Sequence, residues 1–306
     1  VGEIMNLNDI FGIEFPIFQG GMAQVATGEF AAAVSNAGAM GIIGTGAMNG
    51  EKLKEEIAKA RALTNKPFGV NLMMMNPDVE KMAKLLENEK PSLITTGAGN
   101  PGVYIEKWKN AGIKVFPVVS SVALARRLEK EGVDGLIAEG MESGGHIGEL
   151  TSMVLIPQIV ESVKVPVVAA GGIALGRQMK AAEILGAAGV QIATILLASV
   201  ECPIHQNYKN EILLAKDRST VVTGNKLGVP VRCLRNAMTR EYLRLEQMTD
   251  DKLELEKFTL GALRKAVEEG DVENGSLMAG QAAAFAKEIK PLRTIFEELM
   301  KEYESF

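Results

Sequence analysis

An eightfold recurrence governs residues 15 to 200: a short apolar run, a Gly- or Ser-rich joint, then an amphipathic helical pattern. The runs are Phe15–Phe18, Met40–Ile43, Pro67–Leu72, Ser92–Thr95, Lys114–Val119, Gly135–Ala138, Pro166–Ala170 and Gly189–Ala193. Between them, residues 27–37, 50–63, 78–89, 103–110, 121–131, 152–162 and 175–186 carry helical spacing, as in Leu53, Ile57, Ala60 and Leu63. Near-continuous apolar strands suit a sheet with helices on one face and packed side chains on the other. Gly38, Gly112, Gly132 and Gly189 stand before strands, where a left-handed helix end is easiest for glycine. Eight such units predict an α/β fold, a closed (β/α)8 TIM barrel. An open doubly wound sheet is the alternative. Polar and glycine residues gather after the strands, and closure alone brings all of them to one rim, so the barrel is favoured.

Past residue 200 the recurrence stops. Residues 201–217 have helical spacing, Ser219–Thr223 is an extended run, and residues 231–246 mix Arg and Leu at helical spacing. Further helices are expected at 259–269, 277–287 and 291–303, with a loop at 270–275. The expected organisation is a barrel over 1–200, a smaller, mostly helical appendage over 201–270, and terminal helices over 271–306 that return to the barrel.

Bulk properties exclude several function classes. A net charge of −5 with scattered Lys and Arg leaves no basic footprint for nucleic acid. No apolar run reaches transmembrane length, and the N-terminal residues lack a basic-then-apolar leader, so a cytoplasmic protein without a membrane partner is expected. Cys202 and Cys233 are the only cysteines and His146 and His205 the only histidines, too few and too dispersed for a metal centre. Both cysteines are expected to be reduced and structural.

Chemistry concentrates after the strands. Pro166–Ala170 runs into Gly171-Gly172, and the eighth run ends at Ala193-Thr194. In a barrel, backbone amides at those two positions hold phosphate without needing lysine. Arg177 either adds charge there or faces solvent. Gly20, Gly21 and Met22 follow the first run and allow close approach to a flat ligand. Asn71 offers both a donor and an acceptor to a heterocycle edge, and Met73, Met74 and Met75 offer soft apolar walls. The segment Glu139–Gly148 places Glu139, Glu142 and His146 among glycines. Glu139 suits hydroxyl recognition or a salt bridge, and Glu142 reads as a surface carboxylate. His146 has three readings: proton donor or substrate hydrogen-bonder, phosphate contact, or passive loop brace. His205, after Pro203, reads as structural. A flavin mononucleotide, FMN, fits this arrangement, and a phosphorylated sugar fits almost as well.

At this point the chain resembles a known family, the FMN-dependent barrel enzymes that comprise enoyl-acyl-carrier-protein reductase II of the FabK type and the nitronate monooxygenases. The resemblance is carried by Pro16–Met22, Lys66–Asn71, Thr95–Pro101, Ala138–Gly148, Val168–Ile173 and Gly189–Ile192. It continues beyond the barrel in His205–Lys209, Val231–Arg240 and Gly275–Gln281, which look like reductase segments. It implies FMN held by Gly20, Gly21, Met22, Asn71, Glu139, Gly171, Gly172, Ala193 and Thr194, with Gln281 nearby. It also implies His146 at the reacting end of the substrate. The implied reaction is reduction of a trans-2-enoyl thioester on acyl carrier protein, with NADH as reductant and NADPH as second choice. A homodimer is implied, and Arg232 and Arg235 either meet the acidic carrier or form a solvated helix face. The alternatives are nitronate oxidation on the same cofactor and a non-catalytic FMN-binding module. In one place the chain departs from the family: Ala193-Thr194-Ile195-Leu196 stands where Gly-Thr-Arg-Phe is common.

Overall fold

The computed structural model describes residues 6–249 and 251–306; the first five positions of the expected barrel range and position 250 lie outside them. In chain order the strands are β1 (Ile17–Gln19), β2 (Gly41–Gly44), β3 (Phe68–Met73), β4 (Leu93–Gly97), β5 (Lys114–Val119), β6 (Leu136–Glu139), β7 (Gly145–His146), β8 (Val167–Ala170), β9 (Gly189–Ile192), β10 (Thr220–Thr223) and β11 (Val231–Leu234). Eight of them form one parallel sheet in the order β1-β9-β8-β6-β5-β4-β3-β2. A parallel bridge between Phe18 and Met40 joins its two ends, so the sheet is a closed barrel. Sequential strand order with helical returns is what the alternating pattern demanded.

The seam between β1 and β2 is the weak point of the ring, because β1 has only three residues. Gln19 reinforces it. Its fully buried side-chain amide donates to the Ile42 carbonyl at 3.1 Å and accepts from the Ile42 amide at 3.3 Å. The side chain thus stands in for a missing peptide unit. In the sequence this residue had read only as part of the loop after β1.

Strand alternation sorts side chains into two cores. Phe18, Met40, Ile42, Leu93, Phe116, Ile137 and Val168 fill the barrel interior. Ile17, Ile43, Val70, Ile94, Val115, Leu136 and Ala169 face the helices. A short helix that the recurrence did not anticipate, Leu7–Phe11, packs Leu7 and Phe11 onto the interior group. Phe11 meets Phe18 and Phe116 edge-on with ring centroids 5.4 and 5.5 Å apart, a favoured aromatic geometry. Gly189 is needed for this close approach: a Cβ there would lie 2.4 Å from Leu7 Cδ1. The left-handed glycine before β9 is instead Gly186, at φ +95°, while Gly38, Gly112 and Gly132 take the expected positive φ.

Beyond the barrel, the helix 201–217 shrinks to Gln206–Leu214, and residues 265–269 form a π turn. An additional helix, Lys252–Thr259, follows Ala237–Met248. Residues 277–287 contain only the short 3-10 turn Gln281–Phe285. The expectation of helix from 231 was wrong at its start. Val231–Leu234 is the central strand of a three-stranded antiparallel sheet, β10-β11-β7, and the helix begins at Ala237. Alternating Val231 and Cys233 satisfy a strand period as well as the Arg/Leu spacing satisfied a helical one. The terminal helix Leu292–Tyr303 packs on the helix Gly176–Ile184 of the barrel. Among the described residues no helix is long and apolar enough to cross a membrane.

Replacing Gln19 with Leu leaves the buried Ile42 amide and carbonyl without partners, and each such group costs about 1–3 kcal/mol. Urea unfolding of Gln19→Leu should therefore show a loss of roughly 2–4 kcal/mol with an unchanged denaturant slope.

Candidate active site

Closing the barrel brings the loops after all eight strands to one end, around a cavity of about 430 Å³, within the range of small-molecule sites. Gly20, Gly21, Met22, Asn71, Glu139, His146, Gly171, Gly172, Ala193 and Thr194 all line it. Gln281 does not: its side chain is exposed, while its amide donates to the Glu142 carbonyl and its neighbour Ala282 reaches the wall. No Lys or Arg is among the lining residues. Arg177, considered for an anion, is an exposed partner of Glu302 at 3.2 Å on the terminal helix.

The loops after β8 and β9 present unused backbone donors. Among the described residues, the amides of Gly171, Gly172 and Ala193 donate to no acceptor in the chain. Gly171 and Gly172 hold φ +96° and +77°, and a Cβ on Gly171 would sit 2.7 Å from the Gly140 carbonyl oxygen. Consecutive amides in this conformation form an anion-binding concavity. Thr194 accepts from the Gly280 amide at 2.9 Å, tying this corner to the C-terminal segment.

Near the first strand, Gly21 lies against Asn71, where a Cβ would fall 2.3 Å from that residue's own Cβ. The Asn71 amide donates to Thr95 Oγ1 at 2.9 Å, which fixes its plane. At the end of β6, burial pushes the Glu139 carboxyl up to about 7, with the Ser143 side chain nearby. The Ser143 hydroxyl is itself buried and makes no geometrically sound hydrogen bond to the chain. A carboxyl of this kind, without a cation, is poised to pair with hydroxyl groups of a ligand.

His146 sits on β7, which pairs with β11 so that Val231 stands opposite His146 and Arg232 opposite Gly145. The histidine is an exposed residue among those that line the cavity, and partial desolvation lowers its pKa from the ordinary histidine value. The imidazole is therefore neutral at neutral pH, with one nitrogen able to donate and the other to accept. Glu142 is not a surface carboxylate: both its oxygens accept from the Ser152 amide at 3.0 Å, capping the helix Ser152–Ser162. His205 is structural as expected, accepting from Asn207 N at 3.1 Å as a helix cap. Cys202 and Cys233 are free, buried thiols whose pKa values burial raises.

Sequence reasoning missed Tyr208, Leu263 and Met278, which close the cavity from the appendage side. The buried Tyr208 hydroxyl donates to the Met278 carbonyl at 2.8 Å. Tyr208 lies within a segment that carried the family resemblance, the one signal that singled it out.

Comparison with known proteins places these features in context. The nitronate monooxygenase family profile matches residues 5–89 and 76–302. A probable nitronate monooxygenase from Staphylococcus aureus is 31% identical, over 97% of this chain and 96% of that protein. The structure of FabK from Thermotoga maritima superposes with a TM-score of 0.95 at 49% identity, covering 97% of this chain and 95% of that one. Nitroalkane oxidase from Streptomyces ansochromogenes superposes with a TM-score of 0.87 at 27% identity, covering 98% of each chain.

The raised Glu139 pKa has a stability consequence in the ligand-free protein. Between about pH 4.5 and 7 the unfolded chain releases this proton while the folded chain retains it. Stability of the wild type relative to Glu139→Gln should fall as pH rises through that window, by at most about 3 kcal/mol, and level off above it. Thermal melts of both proteins across pH 5–8 check this; parallel curves would contradict the buried, protonated carboxyl.

Proposed function

The chain belongs to the nitronate monooxygenase family, and within it we propose that the protein is an NADH-dependent enoyl-thioester reductase that uses FMN and takes its substrate from acyl carrier protein. The observation that carries this reading is the 49% identity to FabK across 97% of the chain, including the appendage that completes the cavity. The family is one of flavin-dependent oxidoreductases, and the cavity fits FMN. Gly171, Gly172 and Ala193 supply unpaired amides for a phosphate, so the absence of arginine after β9 leaves donors in place. Glu139 and the unpartnered Ser143 hydroxyl suit ribityl hydroxyls, and Gly20, Gly21, Met22 and Asn71 suit a flat heterocycle and its polar edge. In this reading Gln281 acts through its backbone, holding the Glu142 segment.

A flavin held by these residues would supply the hydride chemistry, with NADH as the proposed reductant. The chain's own contribution is to the charge that appears when hydride adds to the β-carbon of an enoyl thioester. That charge spreads over the thioester oxygen and the α-carbon. Neutral His146 donates a hydrogen bond to the oxygen, or relays a proton to the α-carbon from one nitrogen as the other takes one from water, and it is held for this by β11. Tyr208, Leu263 and Met278 exclude water from the acyl side, which strengthens that interaction. A wall without fixed cations suits a neutral thioester better than an anionic substrate. The protein is further proposed to act as a homodimer.

Anaerobic titration separates this reading from nitronate oxidation, which the family profile and the curated relatives favour by name. NADH should bleach the bound flavin, and crotonyl thioester should restore its absorbance. Flavin that resists NADH, together with nitronate-dependent oxygen uptake, sinks the reductase reading. His146→Ala should keep its flavin yet slow the reoxidation by enoyl thioester by roughly 10²–10⁴-fold.

A further inference from the structure

Between Met141 and Leu150 the chain forms a loop whose neck is the hydrogen bond from Met141 N to Leu150 O at 2.8 Å. Three of the five residues at its tip are glycines, Gly144, Gly145 and Gly148, with Gly145 at φ +76°. Such a segment has little intrinsic preference for one conformation. Its order must come from outside, and β7 contributes only two paired residues.

The Ile147 amide donates to the Pro230 carbonyl at 3.1 Å and the Gln281 amide to the Glu142 carbonyl at 2.9 Å, and Arg232 adds a side-chain restraint at the neck. It leaves β11 directly opposite Gly145, and its side chain is 5% exposed. Nε donates to the Met141 carbonyl at the loop neck at 3.0 Å, and Nη1 donates to Thr220 Oγ1 on β10 at 3.1 Å. One planar guanidinium therefore ties the neck of the loop to two strands of the outer sheet. Glu142 is the charge that faces it, and its own carboxylate is committed to Ser152. The sequence had offered Arg232 as a docking group for an acidic carrier or as a solvated helix face. Burial within a strand removes both roles.

We infer that Arg232 is a positioning residue for His146, fixing the loop that carries the imidazole by clamping its neck to the outer sheet. The inference rests on the proposed role of His146 for its kinetic consequence but not for its structural one. A lysine at this place has no planar fork with which to bond both segments at once. A methionine fills similar space and bonds neither.

The test uses the full-length holoenzyme and the fact that the chain has two histidines, so that selective ¹⁵N-histidine labelling gives His146 with His205 as an internal control. The ionisable groups on and around the segment are Glu142 and Glu149 in the loop, Glu139 and Tyr208 on the cavity wall, and Cys233 beside Arg232 on β11. All are unchanged in Arg232→Met, Arg232→Lys and Thr220→Val. In Arg232→Met the His146 titration midpoint should move up toward that of a free histidine, with His205 unmoved. Reoxidation by crotonyl thioester should slow at least tenfold, while flavin retention and NADH reduction stay within about twofold. Arg232→Lys should fall between, and Thr220→Val should shift His146 in the same direction by less. A wild-type His146 titration in Arg232→Met overturns the inference. Should that variant fail to fold, an unmoved His146 in both Arg232→Lys and Thr220→Val overturns it instead. If the wild type does not reduce enoyl thioesters, the reaction assignment fails while the His146 titration still decides the role of Arg232.

Discussion

Closure of the parallel sheet is the constraint from which the rest of the structure follows. Each barrel strand is only three to six residues long, and its peptide groups are buried. An open edge would leave a row of them without partners, at a cost of kilocalories per group. The ring closes through one backbone bridge and one side-chain amide, Gln19 on Ile42. Closure then forces eight loops onto one rim. The cavity is a by-product of that geometry rather than a separately built feature.

Within the cavity the electrostatics are set by what is left out. With no lysine or arginine on the wall, a bound anion depends on peptide dipoles, and burial shifts the Glu139 titration up to about 7. The histidine is held neutral by its surroundings. The carboxyl, fully ionised in water near neutral pH, thus retains a substantial neutral fraction, and the imidazole is neutral beside it. That arrangement suits chemistry in which charge appears transiently on the substrate.

The barrel was legible in the sequence because its signal is repeated: eight apolar runs of strand length, each followed by a 3.6-residue period. The rim positions were legible for the same reason, since they follow from the strand ends. What was not legible depends on contacts between distant segments. The two-residue strand Gly145–His146 has no pattern of its own and exists only through pairing with Val231 and Arg232. Val231–Leu234 is too short for its period to be distinguished from the helix that begins three residues later. Glu142 looked solvated because its partners, the Ser152 amide and hydroxyl, lie ten residues away across a glycine-rich loop, a spacing that no local pattern signals. The plug formed by Leu7–Phe11 is one turn long, below the length at which amphipathicity can be recognised.

That plug also governs traffic. Among the described residues, Phe11, Phe18 and Phe116 pack together across the far end, and the cavity opens at the rim. Whatever enters must leave by the mouth it came through. Two reactants that both need the same innermost position then exclude each other, and each becomes a competitor of the other when in excess. A dead-ended vessel of this kind makes molecules that seek the same innermost position take turns, whatever their chemistry.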